Sequence, residues 1–76
     1  MTLTAVNHQD GRITIDPDIC NGRPVIRGMR ITVQNVLGYL GAGDSVDDIL
    51  RQHPMLVHAD ISACLAFASR LLRNSY

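Results

Sequence analysis

The spacing of apolar residues changes at Thr32, and no other feature of the chain constrains its fold as strongly. Before that point, "RITID" alternates Ile13 and Ile15 with Arg12, Thr14 and Asp16, which is the period of a half-buried strand. Pro17 stops the run. "PDICNGRP" then supplies turn chemistry, with Asn21-Gly22 suited to positive φ, and "VIRGMRI" resumes as a short extended piece in which Gly28 bulges or turns the chain. After Thr32 the period is helical: Val33, Val36, Leu37 and Leu40 fall at i, i+3, i+4 and i+7. The pattern therefore predicts a β-hairpin or β-arm over 12–31 and a helical bundle over 32–73.

Helix boundaries follow from the caps. Thr32 is the N-cap candidate of the first helix, and Gly41 and Gly43 end it. Ser45 followed by Asp48 reads as a capping box in its Asp form. It opens a short second helix that turns Val46, Ile49 and Leu50 inward and stops before Pro54. A third helix is expected from about Val57 to Arg73, burying Ile61, Cys64, Leu65, Ala68, Leu71 and Leu72. Residues 1–11 are polar and lack a period, so they are expected to be a flexible tail that ends in a turn at Asp10-Gly11. The expected organisation is this tail followed by a single domain over 12–76.

Composition narrows the function classes. Seventy-six residues feed one core, and with a single Phe and no Trp that core must be aliphatic. Thin cores of this kind favour self-association, so a homo-oligomer is expected. No apolar run approaches the ~18 residues of a membrane span, and the N-terminus has no basic start followed by an apolar segment. A soluble, cytoplasmic protein without a membrane role is the expectation. Cys20 and Cys64 lack the spacing of a disulfide or metal framework and read as two buried free thiols in a reducing compartment. His8, His53 and His58 do not form a metal set, and the Asp47-Asp48 pair suits a helix first turn better than paired-carboxylate catalysis. No nucleophile elbow is present, so neither an enzyme nor a cofactor is expected.

The charges are concentrated. All seven basic residues are Arg and all seven acidic ones Asp, for a net charge of zero. Three of the arginines, Arg23, Arg27 and Arg30, crowd "GRPVIRGMRI". Guanidinium groups fork onto carboxylates and phosphates, so an exposed arm carrying them suits a groove of DNA or an acidic protein pocket. The competing reading pairs them with Asp10, Asp16 or Asp18 as braces of the hairpin. Arg23 and Arg27 are expected to serve recognition, with Arg30 partly structural. Zero net charge confines any nucleic-acid footprint to a local patch.

Residues 12 to about 70 carry a resemblance, strongest in Gly22, Pro24, Ile26, Gly28, Arg30 and Ile31 and continued by "GDSVDDILRQHPMLVHADISACLAFA". The chain resembles the bacterial family known as domain of unknown function four-three-three, an antitoxin-like family. Met29 and Val57 depart from the Thr, and the Ser or Thr, usual there. The loss at 57 removes a helix cap that Asp60 can partly replace by accepting from a first-turn N–H, with His58 a weak alternative cap. The resemblance implies a mainly α fold: a three-helix, helix-turn-helix-like (homeodomain-like) bundle behind a β-arm. It also implies a type II antitoxin of a toxin-antitoxin system, binding a PIN-like ribonuclease toxin and able to bind operator DNA for autorepression. In such a fold the third helix is the DNA reader. Here its N-terminal face offers Ala59, Asp60, Ser62, Ala63 and Ala66, with Arg70 and Arg73 at the far end. A carboxylate at 60 repels phosphates, which makes the β-arm the expected DNA contact. The candidate binding residues are Arg23, Arg27, Arg30, Arg70 and Arg73. The alternative function is a protein-protein interaction module that binds no nucleic acid.

Overall fold

The computed structural model describes residues 6–73. Three antiparallel strands, β1 (Val6–His8), β2 (Ile13–Ile15) and β3 (Val25–Ile26), lie in the order β1-β2-β3. Three helices follow: α1 (Val33–Gly41), α2 (Val46–Gln52) and α3 (His58–Arg73). The fold is the three-helix bundle with an N-terminal β element that the change of period requires.

The helix starts form as their side chains dictate. Thr32 accepts a hydrogen bond from the Asn35 amide, and Ser45 and Asp48 close a reciprocal capping box. Gly43, at φ +102°, turns the chain out of α1. Ile13 and Ile26 on the sheet meet Val33, Val36, Ile49, Leu56, Ile61, Cys64 and Phe67 in one hydrophobic core, aliphatic but for the Phe67 ring. Met29 packs against that core.

Three tight turns build the β element, each ending in a glycine after left-handed residues. Gln9 and Asp10 precede Gly11, Cys20 and Asn21 precede Gly22, and Arg27 precedes Gly28, all with positive φ. A left-handed Arg is unusual and strained unless the structure holds it there. Here the Met29 amide donates to the Ile26 carbonyl at 2.8 Å, closing a turn whose two central residues, Arg27 and Gly28, both have positive φ.

Two expectations are corrected. Val6–His8 is not part of a tail but a strand, with Val6 opposite Ile15 and His8 opposite Ile13; residues 1–5 lie outside the described residues. Its three-residue length is too short to show a period. Leu65, Leu71 and Leu72, expected in the core, are 49%, 56% and 58% exposed. Leu65 precedes the buried Phe67 along α3 and is exposed because it turns away from the core side of the helix, whereas Leu71 and Leu72 lie beyond Phe67, the last buried residue of this 16-residue helix. Phe67 is buried instead, its ring 5.2 Å from that of His8 on β1.

Truncation of Phe67 is therefore expected to be severe. Phe67→Ala should lower unfolding free energy by ~3 to 5 kcal/mol in urea denaturation, whereas Leu72→Ala should change it by less than ~1 kcal/mol at protein concentrations where the chain is a monomer. Equal losses at the two positions would contradict the core assigned here.

Candidate functional site

Asp60, in the first turn of α3, is fully buried, and the site is built on it. Its Oδ1 accepts from Arg12 Nη1 at 3.0 Å and from Arg27 Nε at 3.1 Å, and its Oδ2 accepts from Arg27 Nη2 at 2.9 Å. The Val57 amide, just before the helix, donates to Oδ2 at 3.0 Å. This last bond is the backbone donor that Asp60 was expected to answer in place of the missing cap at 57.

The sheet positions both arginines. Arg12 leads into β2 and Arg27 follows β3, and the Arg27 amide donates to the Arg12 carbonyl at 3.0 Å, so the side chains leave adjacent backbone. Arg27 Nη2 also donates to the Met55 carbonyl at 2.7 Å, tying the hairpin loop to the α2–α3 connection. Three segments far apart in sequence therefore close on one carboxylate. Burial pushes the Asp60 carboxyl up, but the Arg27 bonds, the Val57 amide and the Arg12 bond more than offset this. It is held below the usual carboxylate range.

Arg27 was expected to be a free recognition residue, and its side chain is instead committed to this clamp. The brace also differs from the expected one, because its acid comes from α3 and not from Asp10, Asp16 or Asp18. Arg23 and Arg30 behave otherwise. Both are exposed, and neither side chain pairs with a carboxylate among the described residues. Arg73 is exposed at the end of α3, and Arg70 reaches Gln9 Oε1 through a long 3.4 Å bond from Nη1. Arg12 was not foreseen as a site residue, since nothing local in "DGRITID" links it to a residue 48 positions later.

Beside the clamp runs a shallow, mainly polar groove of about 410 Å³ between the β1–β2 turn and the exposed side of α3. Arg12, Gln9 and Asp10 form one wall, and Ser62, Ala66 and Arg70 are on the other. Arg12 and Arg70 bring positive charge to it, while Asp60 beneath is neutralised by its two guanidinium groups. Among the described residues no group of three or more His, Cys, Asp or Glu is placed to hold a metal ion. No described helix is long and apolar enough to cross a membrane. Both cysteines are free thiols, and burial, with the Asp60 charge adding to it, pushes the Cys64 thiol up to about 11.

A β-sheet of three short strands is clamped by two salt bridges to a three-helix bundle. Comparison with known proteins places it more narrowly. Residues 13–68 match the family model described as Protein of unknown function (DUF433), and the chain belongs to that family. It is 43% identical over 44 residues to Uncharacterized protein y4eO of Sinorhizobium fredii, an alignment covering 58% of this chain and 20% of that protein. The chain thus matches about a fifth of that relative's length. The crystal structure of a DUF433 member from Anabaena variabilis is similar with a TM-score of 0.78 at 28% identity, over 84% of this chain and 63% of that one.

Because the Asp60 carboxyl is lowered in the folded state, its ionised form stabilises the fold. That contribution is fully present above the unfolded value near ~4 and is lost as pH falls through the lower folded value. Asp60→Asn leaves two guanidinium groups without their carboxylate and should cost ~3 kcal/mol or more at pH 7. The urea midpoints of the wild type and Asp60→Asn should converge as pH is lowered from 5 toward 2. A constant gap between them would show that the ionised carboxylate is not what holds the clamp.

Native-state alkylation tests the thiols separately. A protonated, fully buried Cys64 should resist iodoacetamide until denaturant is added, while the half-buried Cys20 labels first. Rapid native labelling of Cys64 would contradict this packing.

Proposed function

We propose that this chain is a type II antitoxin that works by binding and not by catalysis. In the cytoplasm it binds and neutralises a PIN-like ribonuclease toxin, and it binds operator DNA to repress its own operon. The observation that carries this reading is the division of labour among the clustered arginines. Arg27 is spent on the Asp60 clamp, which fixes the hairpin loop rigidly to the bundle. Arg23 and Arg30 are left exposed on either side of it without a carboxylate partner among the described residues. A preorganised pair of guanidinium groups is suited to an acidic, cation-binding ribonuclease pocket, where it replaces the metal's charge at little ordering cost.

The test is co-expression with a PIN-like ribonuclease. Wild-type chain should co-purify with the ribonuclease and suppress its RNA cleavage. Replacing Arg23 and Arg30 together by Ala should weaken the complex at least about tenfold, equivalent to ~1.4 kcal/mol, without moving the melting temperature. Retained affinity in the double variant would sink the hairpin as the toxin contact.

A second reading, a protein-protein interaction module that binds no nucleic acid, is favoured by one observation: the exposed Leu65, Leu71 and Leu72 on α3. In either reading we place a second copy of the chain on this face. Leu65, Ala68 and Leu72 follow the three- and four-residue spacing of a helix-pairing seam, with a small residue at its centre. Sedimentation equilibrium at micromolar concentration should give a dimer that Leu65→Asp with Leu72→Asp converts to monomer. A wild-type monomer of 8.3 kDa would refute the assignment.

A further inference from the structure

We propose that the groove between the β1–β2 turn and α3 binds the phosphodiester backbone of nucleic acid, so that DNA is met by this face and not by the arginine hairpin. The inference rests on the operator-binding half of the proposed function and gives it a location.

The objection to α3 as a nucleic-acid surface was the acid at position 60, and the structure removes it. Asp60 is 0% exposed and accepts from two guanidinium groups, so the clamp carries one net positive charge with no carboxylate at the surface. Arg12, one of those guanidinium groups, also lines the groove. It gives Nη1 to Asp60 and is 38% exposed, which leaves N–H donors for an anion. Along α3, Ser62 is exposed and its hydroxyl bonds no described residue, and among the described residues Arg70 makes one side-chain bond, of 3.4 Å to Gln9. Asp10, on the turn side, is the only carboxylate in the lining.

Size and shape select among anions. Ser62 and Arg70 are eight residues apart on one helix, ~12 Å along its axis, which exceeds one phosphate and suits a run of backbone. Between them Ala63 and Ala66 present only methyl groups, so a strand can approach the helix closely. Hydroxyl and guanidinium donors of this kind fix the position of a duplex without reading its sequence. A local site of this sort also fits a chain of zero net charge, because affinity depends on phosphates met at the contact.

Fluorescence anisotropy of the full chain tests this, with a labelled 30-base-pair duplex from upstream of its own gene and a shuffled duplex of equal length, in 50 and 200 mM salt. Arg70→Ala and Ser62→Asp should each weaken binding of both duplexes at least about tenfold at the lower salt. Arg70→Ala should also reduce the salt slope by ~1. Arg51→Ala, which removes an equal charge from α2, should bind within about twofold of wild type, and the urea midpoint of Arg70→Ala should be unchanged. Wild-type affinity in Arg70→Ala and Ser62→Asp overturns the location while leaving operator binding standing, as does an equal loss from the Arg23 and Arg30 double variant. No binding of either duplex by wild type at 50 mM salt overturns the location and operator binding together. Saturable uptake of inorganic phosphate alone in calorimetry, abolished by Arg70→Ala, would make this a free-anion site and overturn the nucleic-acid assignment. Loss of ribonuclease capture by Arg70→Ala with DNA binding intact would make it a protein-docking surface, with the same result.

Discussion

One buried carboxylate is the polar link between the two halves of this fold, which also meet in the core through Ile13 and Ile26. The sheet is too small to stand alone, since its strands are two or three residues long and isolated short hairpins are marginal in water. Asp60 supplies the anchor. It draws Arg12 and Arg27 from neighbouring backbone, holds the start of α3 through the Val57 amide, and through Arg27 also holds the Met55 carbonyl. Ionic groups taken out of water add little net stability when fully paired, but removing one partner is destabilising. The clamp therefore specifies geometry more than it adds stability: it sets where the hairpin loop sits and keeps a left-handed Arg27 in place.

That arrangement decides what the surface can offer. Arg27, bound inward, orients the loop from which Arg23 and Arg30 project. Asp60, neutralised beneath the surface, no longer opposes an anion at the outer side of α3. The same contacts thus separate two faces of one small domain, an arginine hairpin and a groove with Arg12 and Arg70. The exposed Leu65 and Leu72 of α3 make a third.

Much of the architecture was legible in the sequence because its determinants are local. Thr32, the Ser45-Asp48 box and Gly43 after α1 bound helices by contacts within four residues, and Asp10-Gly11, Asn21-Gly22 and Gly28 mark turns that all adopt positive φ. What escaped was non-local. The Arg27–Asp60 pair spans 33 positions, and no spacing rule connects them. The strand at Val6–His8 was invisible because three residues carry no period, and missing it also hid the reason Phe67 is buried, since His8 is the ring that covers it. Helical period marked Leu72 as an apolar-face residue, but period reports direction around a helix and not whether a neighbour is there to cover it. In the site, the arginine cluster drew notice from composition, yet which member turned inward depended on an aspartate that reads locally as a simple first-turn acid.

The long reach of the clamp also bears on how the chain comes to be folded. Arg12 and Arg27 are made first, but their shared partner emerges only after α1 and α2, so during synthesis the two guanidinium groups of the β element wait for their carboxylate. Local contacts can shape α1 and α2 as they appear, whereas docking of the arm must wait for the start of α3. A chain cut short before residue 60 would present its hairpin unfastened, with strand edges open to proteolysis or to pairing with another molecule. The last third of the sequence is thus a checkpoint for the first: only a chain complete through α3 presents its arginine loop in a fixed pose.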